Sequence, residues 1–282
     1  MAWLRQISNR AGFRGVLFGL AALCAGLSGA SAVVGPMPTT FFSSAASSCP
    51  SGTYVFYATS GTTVAIPACW NNANNSIEAI GAGINGQSGG ASNGGNGGNG
   101  GCYAEITNVT TSGSVAIQIG VANGTVGAGT SKTSNTWFKN GSTLVGSGGD
   151  AVGTNCVGTT KNAGGVAGAF SSSFGGGGGG AGGPNGAGGA GSPGVGGAGD
   201  NGFGGTGGTY SGSPSFNGGD GAEYTSNPGG VSAGSGGGGS GSFSGFGGSG
   251  GNYGGAGGGG AGAPGYPGGT ATGGILVFTY TN

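Results

Sequence analysis

The chain contains no histidine, and only 4% of its 282 residues are charged. A soluble globular domain carries roughly 25% charged residues. Without histidine there is no Ser-His-Asp or Cys-His nucleophile system, and the commonest general base and metal ligand is missing. The five cysteines include no CxxC pair, so the ligand spacing of a zinc site is missing too. There is no GxxxxGK[ST] loop to cradle a phosphate. Of the six carboxylates, Glu78 and Glu105 fall in strand-like stretches and Asp150 follows a Gly-Gly turn. Nothing in the sequence sets two of them at the separation glycoside hydrolysis needs. The GGDGAEY stretch at 218–224 is similar to a calcium β-roll repeat but occurs once, whereas such repeats work as stacked copies. The expectation is a non-catalytic protein with no cofactor and no metal. Three arginines and three lysines form no basic patch, which excludes nucleic acid as an expected partner.

The three arginines all precede residue 15. Arg5, Arg10 and Arg14 lead into an apolar run at 15–23, and small residues follow, ending in Ala30-Ser31-Ala32. A basic start, a short apolar run and an A-x-A site read as a secretory signal peptide over 1–32. The run is short and broken by glycine, so no stable membrane span is expected after cleavage. Cleavage leaves three lysines against six carboxylates, a net charge of −3. It also leaves four cysteines, Cys49, Cys69, Cys102 and Cys156. An even set in an exported chain predicts two disulfides, with three pairings open. The expected location is secreted or on the cell surface.

What the chain has in abundance is glycine, 83 residues. Between the glycine tracts lie short stretches of alternating, β-branched and aromatic residues. Strands are predicted over 53–57, 63–66, 77–80, 102–106 and 114–119, where Val115, Ile117 and Ile119 share one face. Two more, 136–138 and 143–145, flank the hairpin signal Asn140-Gly141. The last, 275–280, closes the chain and requires a partner among the strands of 53–119. No helix is expected after the signal. The predicted fold is all-β: a β-sandwich base closed by the C-terminal strand, with inserted glycine-rich loops. The domains read as an N-terminal β segment with linker over 33–61 and a glycine-rich domain over 62–282. Within the latter, the base is 62–163 and 275–282, and the glycine tracts are 81–101 and 164–274.

Many glycines keep a three-residue frame, such as 176, 179 and 182, or 245, 248, 251, 254, 257 and 260. That period fits the left-handed helix of three residues per turn and about 3.1 Å rise, which would make 245–260 roughly 50 Å long. Ten prolines and a broken frame exclude collagen. The alternative is a polyglycine II bundle, in which backbones lacking Cβ approach closely enough to bond one another. Ordering so much glycine is entropically costly, so such a bundle requires many neighbours and fixed ends, the alternative being flexible loops.

The succession TTVAIPACW, IEAIGAGINGQSGG, GGCYAEITNV, SVAIQIGVANG, TWFKNGSTLVGSGG and GGILVFTYTN, over 62–282, resembles the glycine-rich domain of bacterial exported proteins and phage tail proteins. Cys69 and Cys102 are additions to that pattern. The resemblance implies a polyglycine II bundle whose variable loops touch a surface ligand, a glycan or a protein. It marks the loop aromatics Phe203, Tyr210, Phe216, Tyr224, Phe243, Phe246, Tyr253 and Tyr266 as the contact set, the alternative being packing at the bundle ends or over the base. The signal peptide favours an exported structural or adhesive protein, with possible self-association, over a phage tail-tip receptor binder. A lesser resemblance, to the glycine-rich antifreeze proteins of springtails, implies ice binding. Ser213-Pro214-Ser215-Phe216 would interrupt the flat face that requires.

Overall fold

Long-range pairing assembles nine short strands into two antiparallel sheets. The computed structural model describes residues 49–202, 204–209, 216–224 and 235–282. The expected signal peptide, Phe203 and Tyr210 lie outside the described residues. The first sheet has the order β1 (Thr53–Ala58), β9 (Ile275–Thr281), β3 (Asn75–Ile80), β4 (Tyr103–Thr107), β8 (Thr160–Asn162). The second has the order β2 (Thr63–Ile66), β5 (Gly113–Gln118), β6 (Thr136–Phe138), β7 (Leu144–Gly146). The β6–β7 hairpin turns at Asn140-Gly141 as expected, with Lys139 taking a φ of 64°.

The sheets pack face to face. Ile77, Ala79, Ala104, Leu276 and Phe278 of the first sheet meet Ile66, Ile117, Phe138 and Leu144 of the second in one buried core. Trp70 covers one end, its indole N–H donating to the carbonyl of Val109 at 3.0 Å. Phe56 stacks on Phe278 with ring centroids 4.6 Å apart. The two disulfides join Cys49 to Cys69 and Cys102 to Cys156, with Cα separations of 5.5 and 6.6 Å.

The terminal strand does more than close an edge. β9 lies inside the first sheet, paired with β1 from Thr53↔Thr281 to Ala58↔Leu276 and with β3 from Asn75↔Tyr280 to Ile80↔Ile275. The segment expected to stand N-terminal to the domain therefore shares its sheet. Ile275, Leu276, Val277 and Phe278 are all fully buried. Leu276 and Phe278 face the sandwich. Ile275 and Val277 face the other way, into a second cluster with Ile80, Tyr103 and Ala181, flanked by Tyr224 and Tyr253. The last three belong to the glycine region, so that region covers the outer face of the first sheet.

Within the glycine region, backbone hydrogen bonds repeat every third residue and run between segments. Segment 174–183 shows the rule. Gly175, Gly178 and Ala181 donate to Ser242, Gly239 and Gly236. Gly176, Gly179 and Gly182 donate to Gly95, Gly98 and Gly101, and Gly177, Gly180 and Gly183 to Ser192, Gly189 and Gly186. Its carbonyls accept in the same rhythm from Gly165 and Gly168, from Gly194 and Gly197, and from Ala256 and Gly259. Three donor faces and three acceptor faces, 120° apart, are what a helix of three residues per turn offers to its neighbours. The amides are met by other segments, so the buried backbone is satisfied without a ladder of extended strands. Closeness demands glycine here: a Cβ on Gly180 would sit 1.7 Å from the Ala198 carbonyl oxygen.

The frame-keeping run 245–260 is not one long helix. Gly258 donates to Gly248 and Ala261 to Gly245, so 254–262 lies antiparallel on 245–252. The reversal falls at Asn252-Tyr253-Gly254, where Gly254 has a φ of 74°. Tyr253 leaves the bundle there to pack against the base. A second reversal at 90–93 folds the first tract into a hairpin, closed by Gly90 donating to Asn93.

Candidate functional site

The bundle segments run from the base to a far end, and turns at that end collect aromatic side chains. Ser171 and Phe174 form a bridged turn around Ser172, which has a φ of 55°. Ser192 and Val195 form another around Pro193-Gly194. Further turns span 242–247 and 261–266. Cross-bonds place these turns together: Gly175 donates to Ser242, Gly194 to Gly175, Gly247 to Pro267, and Gly262 to Ser173.

Phe174 and Phe243 approach to 4.5 Å between ring centroids, and Phe246 meets the edge of Tyr266 at 5.6 Å. Phe216 joins through its backbone N–H, which donates to Ser240 Oγ at 2.9 Å. Phe246 is 62% exposed, Phe216 46%, Phe243 45% and Phe170 41%. The turns at 170–174, 192–195, 242–247 and 261–267 contain no charged residue. The result is an uncharged, partly exposed aromatic tip.

The expected contact set divides. Phe216, Phe243, Phe246 and Tyr266 lie at the tip. Tyr224 and Tyr253 lie at the opposite end, packed on Ile80, Tyr103, Ile275 and Val277, and are corrected to base-covering residues. Phe170 and Phe174 were not in the set, yet they stand at the tip. Their signal was readable: Phe-Ser-Ser-Ser-Phe breaks two glycine tracts as Phe243-Ser244-Gly245-Phe246 does.

Glu78, Glu223, Asp150 and Asp200 accept hydrogen bonds within the fold. Glu78 is buried and accepts from Tyr103 Oη at 2.8 Å and Tyr224 Oη at 2.5 Å on the same oxygen. Burial pushes its carboxyl above the usual carboxylate range; the two tyrosine bonds oppose this, and Glu105 and Glu223 add to it. Burial likewise raises Glu223, which accepts from the N–H and hydroxyl of Ser235. The Tyr103 and Tyr224 hydroxyls are raised by burial and by the adjacent Glu78. Asp150 caps a turn through the N–H groups of Val152, Gly153 and Asn155, and Asp200 does the same for Asn185, Gly202 and Gly204. Cys102, Asp150 and Cys156 lie within 4.8 Å of one another. Both sulfurs are joined in the disulfide, and the Asp150 oxygens are occupied by backbone N–H groups. This trio therefore offers no thiolate to a metal.

No family model and no curated protein matches the chain. Among the described residues no helix is long and apolar enough to cross a membrane.

Proposed function

We propose that the chain is an exported, non-catalytic adhesive protein, in which a disulfide-bonded β base holds a glycine bundle and the bundle presents an aromatic tip to a surface ligand. The carrying observation is the gathering of Phe170, Phe216, Phe243 and Phe246, each at least 41% exposed, at one end. Exposed apolar clusters mark interaction surfaces, and aromatic side chains dominate interface energetics at low entropic cost. Export is supported by the basic, apolar and A-x-A pattern before residue 33 and by two disulfides, which persist in oxidising compartments. The order of motifs over 62–282, similar to that of glycine-rich domains in bacterial exported proteins, supports the same reading. The ligand class is a surface glycan or protein. A phage tail-tip receptor binder would use the tip in the same way, and the expected signal peptide weighs against it.

The test is adhesion of labelled mature chain to intact cells, with wild type compared to a Phe243→Ser/Phe246→Ser variant. Loss of adhesion at unchanged melting temperature supports the tip. Equal adhesion by both proteins overturns it.

A further inference from the structure

A separate surface lies on the flank of the bundle. A groove of about 700 Å³ runs where the first glycine hairpin meets the loops of the second sheet. Its polar lining comes from Asn85, Gln87, Asn96, Asn99 and Asn123, and its apolar lining is mainly Ile84 and Val126. No lining residue is charged. That volume falls in the range of ligand pockets, about 300–1,000 Å³.

The amides are held in defined orientations. Asn96 Oδ1 accepts from the Phe170 N–H at 3.0 Å, Asn99 Oδ1 from the Ala167 N–H at 2.8 Å, and Asn85 Oδ1 from the Ala271 N–H at 2.8 Å. A backbone N–H can be met only by the amide oxygen, so each bond decides which way its carboxamide is turned. Asn99 uses its NH2 group on the Gly149 carbonyl. The NH2 groups of Asn85 and Asn96 bond to nothing among the described residues. Gln87 is exposed, and its amide likewise makes no bond there. Asn96 and Asn99, like Ile84 and Gln87, are one three-residue turn apart, about 9 Å, so lining side chains recur along the helix axis.

We infer that this groove is a second binding site, for a neutral oligosaccharide. Carboxamides both donate and accept, which suits hydroxyl groups. The absence of charge in the lining disfavours acidic or basic ligands, whose desolvation would go uncompensated. Ile84 and the half-exposed Val126 offer apolar contact to the C–H face of a sugar ring. A peptide would call for a pocket to hold a side chain, and the remaining lining is glycine and alanine. The groove adjoins the tip at 167–170, but neither Phe243 nor Phe246 lines it.

The experiment is titration of the mature chain with hexamers of β-1,4-linked N-acetylglucosamine, β-1,4-linked glucose and α-1,4-linked glucose, read by calorimetry. The expected result is saturable binding of at least one hexamer. Gln87→Ala should weaken it about three- to ten-fold, the worth of one or two hydrogen bonds. Val126→Trp, filling the groove from an exposed position, should abolish it at unchanged melting temperature. The Phe243→Ser/Phe246→Ser variant should bind as wild type does, which separates this site from the tip. No binding of any hexamer at about 10 mM, or wild-type affinity in Val126→Trp, would overturn the inference. Loss of binding in the tip variant alone would assign the sugar to the tip instead and equally overturn it.

Discussion

The hydroxyl of Tyr224 donates a 2.5 Å hydrogen bond to the carboxylate of Glu78, across 146 residues of chain. Glu78 belongs to β3 and Tyr224 to the glycine region. Tyr103 of β4 bonds the same oxygen, so one buried acid ties two strands of the base to the bundle above them. The outer face of the first sheet is thereby a polar and apolar seam, with Ile80, Ile275 and Val277 around the acid.

This seam makes stability depend on pH. Burial raises the carboxyls of Glu78 and Glu223 above their ordinary range, so the folded chain holds these protons more tightly than the unfolded chain. Their contribution is fully present below the unfolded value and is lost as pH rises through the raised folded values. The melting temperature should fall as pH rises above about 4, the ordinary glutamate range. Glu78→Gln, which keeps an acceptor oxygen for both tyrosines, should flatten that fall. Calorimetry across a pH series reads both proteins. A melting temperature that rises with pH, equally in both, contradicts the seam.

Glycine should be replaceable only where the bundle leaves room. Gly180→Ala puts a Cβ 1.7 Å from a carbonyl oxygen, whereas at Gly245 the nearest contact is Ser242 Oγ at 3.5 Å. Overpacking costs typically 1–3 kcal/mol, occasionally more. Gly180→Ala should lose about that much in chemical denaturation, and Gly245→Ala close to nothing. Equal stability in the two variants would mean that the segments do not pack as described.

The two faces of β9 should be separable by hydrogen exchange. Phe278→Ala opens the sandwich core and should cost about 3–5 kcal/mol of global stability. Val277→Asp places a carboxylate against the bundle. It should raise amide exchange at Gly179–Gly182 and Gly254–Ala256 before the sandwich amides respond. Uniform exchange changes in both variants would show base and bundle to be one cooperative unit without a distinct seam.

The disulfides should differ in weight. Cys102 and Cys156 enclose 54 residues and Cys49 and Cys69 enclose 20. Loop-closure entropy gives about 4 kcal/mol for the first and about 3 kcal/mol for the second. Burial of Cys102 and Cys156 in the core adds to the difference. The Cys102→Ala/Cys156→Ala variant should therefore melt lower than the Cys49→Ala/Cys69→Ala variant. Thiol titration of the denatured, unreduced mature chain should find no free thiol, and N-terminal sequencing should begin near Val33.

Sequence alone was enough for the features that local chemistry writes along the chain. Short alternating, β-branched or aromatic stretches mark eight of the strands, and a three-residue glycine frame marks segments that bond their neighbours every third residue. The apolar terminus 275–280 announces a buried strand. It could not announce burial on both faces, because Ile275 and Val277 are covered by Ala181, Tyr224 and Tyr253 from distant parts of the chain. β8, Thr160-Lys161-Asn162, has no alternating pattern and exists because it pairs with β4. Tyr224 and Phe243 look alike between glycines, yet one ends at the base and the other at the tip, according to where each segment turns back. The reversal at 252–254 likewise interrupts a run whose frame continues through it. Only tertiary structure decides such matters. A glycine segment carries its rhythm in its backbone but has no side chain to specify which neighbour it will bond, so the partners follow from the anchored base, the turn residues and the packing of the whole.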